Sequence, residues 1–176
     1  NILIDQVRGL SKQLVSNDTT AEATDATGLT AVSSTGFTLG AGNIFGNFNA
    51  SGGSYVAWCW DAGDTTVTNN DGTIESQVRA NPSAGFSVVT WTKASTADSI
   101  GHGLGVAPSF IICKSRTSAA WWMIGHVGLD PTSPWNYRIF FDTGARNPDG
   151  ASSWNGVPTS SVFYTGDTGY IAGDMV

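Results

Sequence analysis

The stretch GHGLGVAPSFIICKS, Gly101 to Ser115, admits two readings that lead to different proteins. As a glycine loop it would cradle a ligand, with His102 as a catalytic or metal-binding residue. As punctuation between two buried strands it would be architecture. A dinucleotide loop needs G-x-G-x-x-G between a strand and a helix, so that the helix N-terminus meets a pyrophosphate. The glycines here have another spacing, and an apolar β-rich run follows. Ile100, His102 and Leu104 alternate as a short strand, Gly105 to Pro108 turn the chain, and Phe110, Ile111, Ile112 and Cys113 form a second strand ended by Lys114. His102 has no second ligand or nucleophile at a telling spacing, so a structural, hydrogen-bonded histidine is the expectation.

Working outward, the dominant period is two. Tyr55–Trp60, Phe86–Thr92, Ala120–Ile124, Tyr137–Phe141, Ser161–Tyr164 and Tyr170–Ala172 are short, β-rich and bounded by Gly, Pro, Asn or Asp. Many short strands with frequent turn signals predict an all-β fold, an antiparallel β-sandwich of jelly-roll type. Ile4, Val7, Leu10 and Leu14 recur near a helical spacing and allow at most one short N-terminal helix, weakened by Gly9. Ser16 to Thr35 reads as a polar surface connection. Thr35–Leu39 (TGFTL) echoes Ala84–Val88 (AGFSV), and Tyr55-Val-Ala echoes Tyr170-Ile-Ala. With Asn81-Pro82 as a junction, this suggests two related β modules, residues 1–80 and 81–176. The missing initial Met and the apolar alternation in GYIAGDMV lead to the expectation of a piece of a longer protein.

Composition agrees with a β-rich domain and excludes several functions. Charged residues make up only 12%, and hydrophobic ones 40% with 7 Trp, which is not the disordered signature. The net charge is −6 and the 8 basic residues are scattered, so nucleic acid is not an expected partner. No apolar run is long enough for a membrane-spanning helix. Cys59 and Cys113 sit in apolar runs and read as buried free thiols.

Few catalytic or metal patterns survive a search. There is no Walker loop, H-E-x-x-H or G-x-S-x-G elbow. His102, His126, Cys59 and Cys113 offer no close pair for zinc. The oxygen-rich loops Asn69–Glu75 and Asp142–Asp149 lack the glutamate of an EF-hand and read as turns. Asp61 and Asp64 are near in sequence, but nothing marks them as a hydrolytic pair. Arg138 and Arg146 near Asp142 read as surface pairs. No catalytic residue, metal site or cofactor is assigned. The tryptophans remain: Trp121, Trp122, Trp135, Tyr137 and Trp154 are candidates for contact with a glycan or protein surface, through ring stacking beside Asn and Asp. The competing reading makes them core and loop anchors.

Gly85-Phe-Ser-Val-Val-Thr-Trp91, Ile100–Lys114 and Trp122-Met-Ile-Gly-His126 together resemble a repeated β module of tailed-bacteriophage structural proteins, found in tail fibres and other virion appendages, notably of marine phages that infect cyanobacteria. Val7-Arg-Gly, Ala21-Glu22, Gly36–Gly40 and Tyr55–Ala62 look like the part that precedes it. The resemblance spans most of the chain and carries no catalytic motif. It implies a non-enzymatic, extracellular virion component, commonly a homotrimer, that acts as a rigid spacer or in attachment to a host surface glycan, with other virion proteins as partners. A capsid-surface decoration protein, or a secreted glycan-binding or glycan-active protein, are the rivals.

Overall fold

The structure, a computed structural model, describes residues 1–42, 44–46, 48–94, 96–141, 144–148, 150–167 and 169–176. Fourteen strands are formed: β1 (Ile2–Leu3), β2 (Lys12–Val15), β3 (Ala23–Thr24), β4 (Leu29–Ser33), β5 (Gly36–Leu39), β6 (Val67–Asn69), β7 (Ser76–Asn81), β8 (Phe86–Thr92), β9 (Asp98–Gly101), β10 (Phe110–Cys113), β11 (Met123–His126), β12 (Ile139–Phe140), β13 (Val162–Thr165) and β14 (Asp174–Met175). Among the described residues a 3-10 turn covers Pro134–Asn136 and one short helix, α1, covers Gly150–Trp154. The fold is all-β, and every pairing between named strands is antiparallel.

The strands make five small sheets, ordered β1-β2-β3, β4-β5, β14-β8-β7-β6, β9-β13 and β10-β11-β12. Three of them enclose one core in a sandwich-like arrangement. Trp91 comes from β8, Ile100 from β9, Ile111 and Cys113 from β10, Met123 from β11, Phe140 from β12, Phe163 from β13 and Met175 from β14. Trp91 and Phe163 meet edge to face at 5.3 Å, a favoured aromatic geometry.

The opening stretch behaves as two strands joined by a glycine turn. β9 ends at Gly101, where a Cβ would collide with the Asn69 side chain. Gly103 and Gly105 lie in the left-handed region at φ 71° and 74°, where a side chain costs about 1 kcal/mol or more. The His102 N–H carries the pairing one step further, to the Ser161 carbonyl at 3.2 Å. Phe110–Cys113 then forms β10. Lys114 follows the strand and is wholly buried, whereas Phe110, expected in a buried strand, is half exposed.

Several local expectations are corrected. The strand expected at Tyr55–Trp60 is not formed: the run has no regular secondary structure and pairs with no strand. Ile4, Val7, Leu10 and Leu14 do not form a helix: residues 6–8 turn, β1 and β2 pair, and the short helix lies at α1 instead. Ile4, Val7 and Leu10 lie half-buried in the connection between β1 and β2, and only Leu14, on β2, is fully buried. The expected polar connection Ser16 to Thr35 instead holds two strands, β3 and the whole of β4. Within the expected Ala120–Ile124 and Tyr137–Phe141 only β11 and β12 pair, and the expected Tyr170–Ala172 forms no strand, the nearby pairing falling at β14 instead. Asn81-Pro82 sits at the tip of the β7–β8 hairpin, paired from Ser76↔Trp91 to Asn81↔Phe86, so residues 1–80 and 81–176 share one sheet.

Candidate functional site

The five aromatic candidates separate by burial. Trp122 is 5% exposed, and its indole N–H donates to the Val15 carbonyl at 2.7 Å. That bond pins the β1–β3 sheet against the strand entering β11. Trp135 and Trp154 are 5% and 1% exposed and pack edge to face at 5.6 Å. A Cβ on Gly125 of β11 would lie 2.5 Å from Trp135 and 2.7 Å from Trp154, so the glycine makes room for both rings. Trp154 also donates its indole N–H to the Tyr137 carbonyl at 3.2 Å. These three tryptophans therefore anchor the core and are closed to a glycan in this conformation. Tyr137 is half-buried beneath the Arg146 guanidinium, 4.1 Å from its ring centre. Trp121 alone is substantially exposed, at 40%, and leans toward Phe140.

Arg138 is buried, against the surface role expected for it, and reaches the Ser153 hydroxyl at 2.5 Å. Arg146 donates to the Leu129 carbonyl at 2.8 Å and pairs with Asp130 at 3.1 Å. Asp142 and Asp149 lie outside the described residues.

The ionisable groups that are buried hold the fold together. His102 accepts the Leu104 N–H at Nδ1 (3.2 Å), and its Nε2 lies 3.2 Å from the Thr159 carbonyl. The bonds require the neutral form with the proton on Nε2, and burial lowers the pKa further than Thr159 and Asp71 raise it. Lys114 Nζ donates to the carbonyls of Thr19, Ser115 and Ser118 at 3.1, 2.7 and 3.3 Å. Burial brings its pKa down to about 8, against the pull of Asp18. Glu22 accepts from Arg116 at 2.9 and 3.0 Å and from Arg8 at 3.1 Å. Burial pushes the Glu22 carboxyl up, but the two guanidiniums overcome it and hold the group below its usual range.

The acidic loops are turns built from their own side chains. Asn69 Oδ1 accepts the Asp71 N–H at 2.9 Å and its amide reaches Asp71 Oδ2 at 3.1 Å. Asp61 accepts the Gly63 N–H at 2.7 Å and the Asn81 amide at 3.0 Å. Among the described residues no three His, Cys, Asp or Glu side chains gather as a metal site. Among the described residues no helix is long and apolar enough to cross a membrane.

The prominent surface feature is the run expected as an alternating strand, and Cys59 within it, expected to be buried, is exposed. Tyr55, Val56, Trp58 and Trp60 are 53%, 81%, 76% and 63% exposed. The run is tethered at both ends. Before it, the Tyr55 hydroxyl accepts the Ala50 N–H at 2.9 Å. After it, Asp61 is held by Asn81, and the Arg79 guanidinium donates to the Gly63 carbonyl at 2.5 Å. Trp60 stacks on Phe86 at 6.1 Å, and Trp58 stands edge-on to Trp60 at 6.3 Å. Cys59 presents a free, exposed thiol, whereas burial pushes the Cys113 thiol up and leaves it inert. The signal available in the sequence was electrostatic: no charged residue lies between Asp25 and Asp61.

A family model described as a domain of unknown function (DUF7483) matches residues 1–175. No curated protein and no solved structure matches the chain.

Proposed function

The chain belongs to the DUF7483 family, and we propose that it works as a non-enzymatic structural and adhesion module of a phage tail fibre or similar virion appendage. In this reading it is extracellular on the particle, self-associates as a homotrimer, and spaces or presents an attachment surface for a host glycan. The observation that carries it is the exposed aromatic run Tyr55–Trp60, held at both ends within a segment free of charge. A surface of that kind suits contact with another macromolecule. The resemblance of Gly85–Trp91, Ile100–Lys114 and Trp122–His126 to appendage modules supplies the setting. Lys114, His102 and Glu22 are engaged in contacts that secure the fold, which accords with a structural role.

The test is the position of the protein on the particle. Gold-labelled antibody against this domain is expected on a tail or appendage in electron micrographs. Label confined to the capsid shell, or no virion label, overturns the assignment. Release of reducing sugar from host polysaccharide by the purified domain overturns its non-enzymatic character.

A further inference from the structure

Val56, Ala57, Trp58, Cys59 and Trp60 are all exposed and make no hydrogen bond with another described residue. This backbone enters no ladder, so it presents unused donors and acceptors beside large apolar side chains. We propose that Tyr55–Trp60 is an assembly strand, which a second copy of this chain covers by adding a strand beside it. The inference rests on the reading of the chain as a self-associating module and names the surface responsible.

Three observations select a second copy as the occupant. The first is area. The exposed parts of Tyr55, Val56, Trp58 and Trp60 amount to on the order of 500 Å² of mostly apolar surface. That is more than half of the roughly 800 Å² each partner contributes to a stable interface. The second is charge. The chain carries −6, so two copies repel wherever their carboxylates meet. The stretch between Asp25 and Asp61 is where identical surfaces approach without that penalty.

The third is the internal echo. Ala84–Val88 leads into β8, which pairs with β7 and β14, and Ile171 of Tyr170-Ile-Ala is buried in the core. The matching elements earlier in the chain are bare: Phe37 of β5 is 43% exposed and Val56 of Tyr55-Val-Ala 81%. The Tyr-Val/Ile-Ala sequence is thus core in one place and uncovered in the other, and the Gly-Phe sequence is half-buried at Phe86 and exposed at Phe37. A chain with the same strands is the natural cover for the uncovered copy.

Cys59 makes the interface measurable, because Cys113, the other thiol, is buried. The test combines native mass with maleimide labelling of Cys59 on the intact chain, from low to high micromolar concentration. The expected mass is a multiple of 18.3 kDa. Labelling is expected to slow by at least about tenfold as the assembly forms, since reactivity follows access to the thiolate. Val56→Lys with Trp58→Glu is expected to give the protomer mass and a concentration-independent labelling rate, with an unchanged far-UV circular dichroism spectrum. Ala57→Pro, which removes a backbone donor and keeps the aromatics, gives the same result if pairing is through the strand. A wild-type chain that stays at 18.3 kDa throughout overturns the proposal. So does an assembly that survives both variants, or one that forms with Cys59 still fully reactive. Gold labelling away from an appendage with Cys59 protected would sink the virion assignment and leave the assembly strand standing.

Discussion

Lys114 has no exposed surface, and its ammonium is surrounded by three carbonyls and one distant carboxylate. Its pKa is about 8 in the folded chain against 10.5 when exposed. Between those values the unfolded state binds the extra proton, so stability rises with pH across that window. The shift corresponds to about 3 kcal/mol at most. Urea unfolding of the wild type at pH 8 and pH 10 should show this gain, and Lys114→Met should lack it. An equal slope in the variant would deny Lys114 the role. His102 acts in the same direction lower on the scale. Its folded pKa is lowered from 6.5 by burial. The unfolded chain therefore takes up the proton first as pH falls below that value, and stability is lost. His102→Asn should cost about 1–2 kcal/mol through one lost buried hydrogen bond. It should also blunt the acid sensitivity without altering assembly, which mass measurement checks. The structural role of this histidine was legible in the sequence from its lack of partners. The burial of Lys114 was not, because nothing local says which carbonyls will converge on an amine.

At the scale of elements, what decided legibility was who covers each side chain. Phe86–Thr92 and Phe110–Cys113 coincide with β8 and β10 because both are bounded by turns and packed within the chain. Tyr55–Trp60 shows the same alternation and is bare, since period two reports the shape of a strand and says nothing of its neighbour. The five-residue helix α1, Gly-Ala-Ser-Ser-Trp, is too short to carry a periodicity. It stands because Trp154 plugs into the core beside Trp135, over Gly125. Gly125→Ala should therefore cost about 1–3 kcal/mol through overpacking. Trp154→Ala should cost about 3–5 kcal/mol. Trp58→Ala, exposed on the protomer, should stay within about 0.5 kcal/mol when measured at concentrations too low for assembly. Thermal melts with near-UV circular dichroism give all three. Loss of glycan binding by Trp154→Ala at unchanged Tm would return that residue to the surface role the sequence allowed.

At the scale of the molecule, two features join the early part of the chain to the rest. β7 and β8 pair across Asn81 and Pro82, and Glu22 binds Arg8 and Arg116 on either side of that point in the chain. The Glu22–Arg116 pair is screened from water, with side chains 9% and 22% exposed. Breaking such a pair strands a guanidinium, so Glu22→Gln should cost about 2–4 kcal/mol. The lowered carboxyl pKa fixes the sign with pH. The contribution is present above the unfolded value of 4.5 and disappears as pH falls through the folded one. The same connections bear on the number of cores. Two separate modules at 1–80 and 81–176 would unfold in two steps. A shared sheet predicts one cooperative transition, with tryptophan fluorescence and far-UV circular dichroism coinciding in urea. Glu22→Gln should move that single midpoint without splitting it. Two resolved transitions in the wild type, or in the variant alone, would show that the β7–β8 hairpin links units whose stabilities are independent.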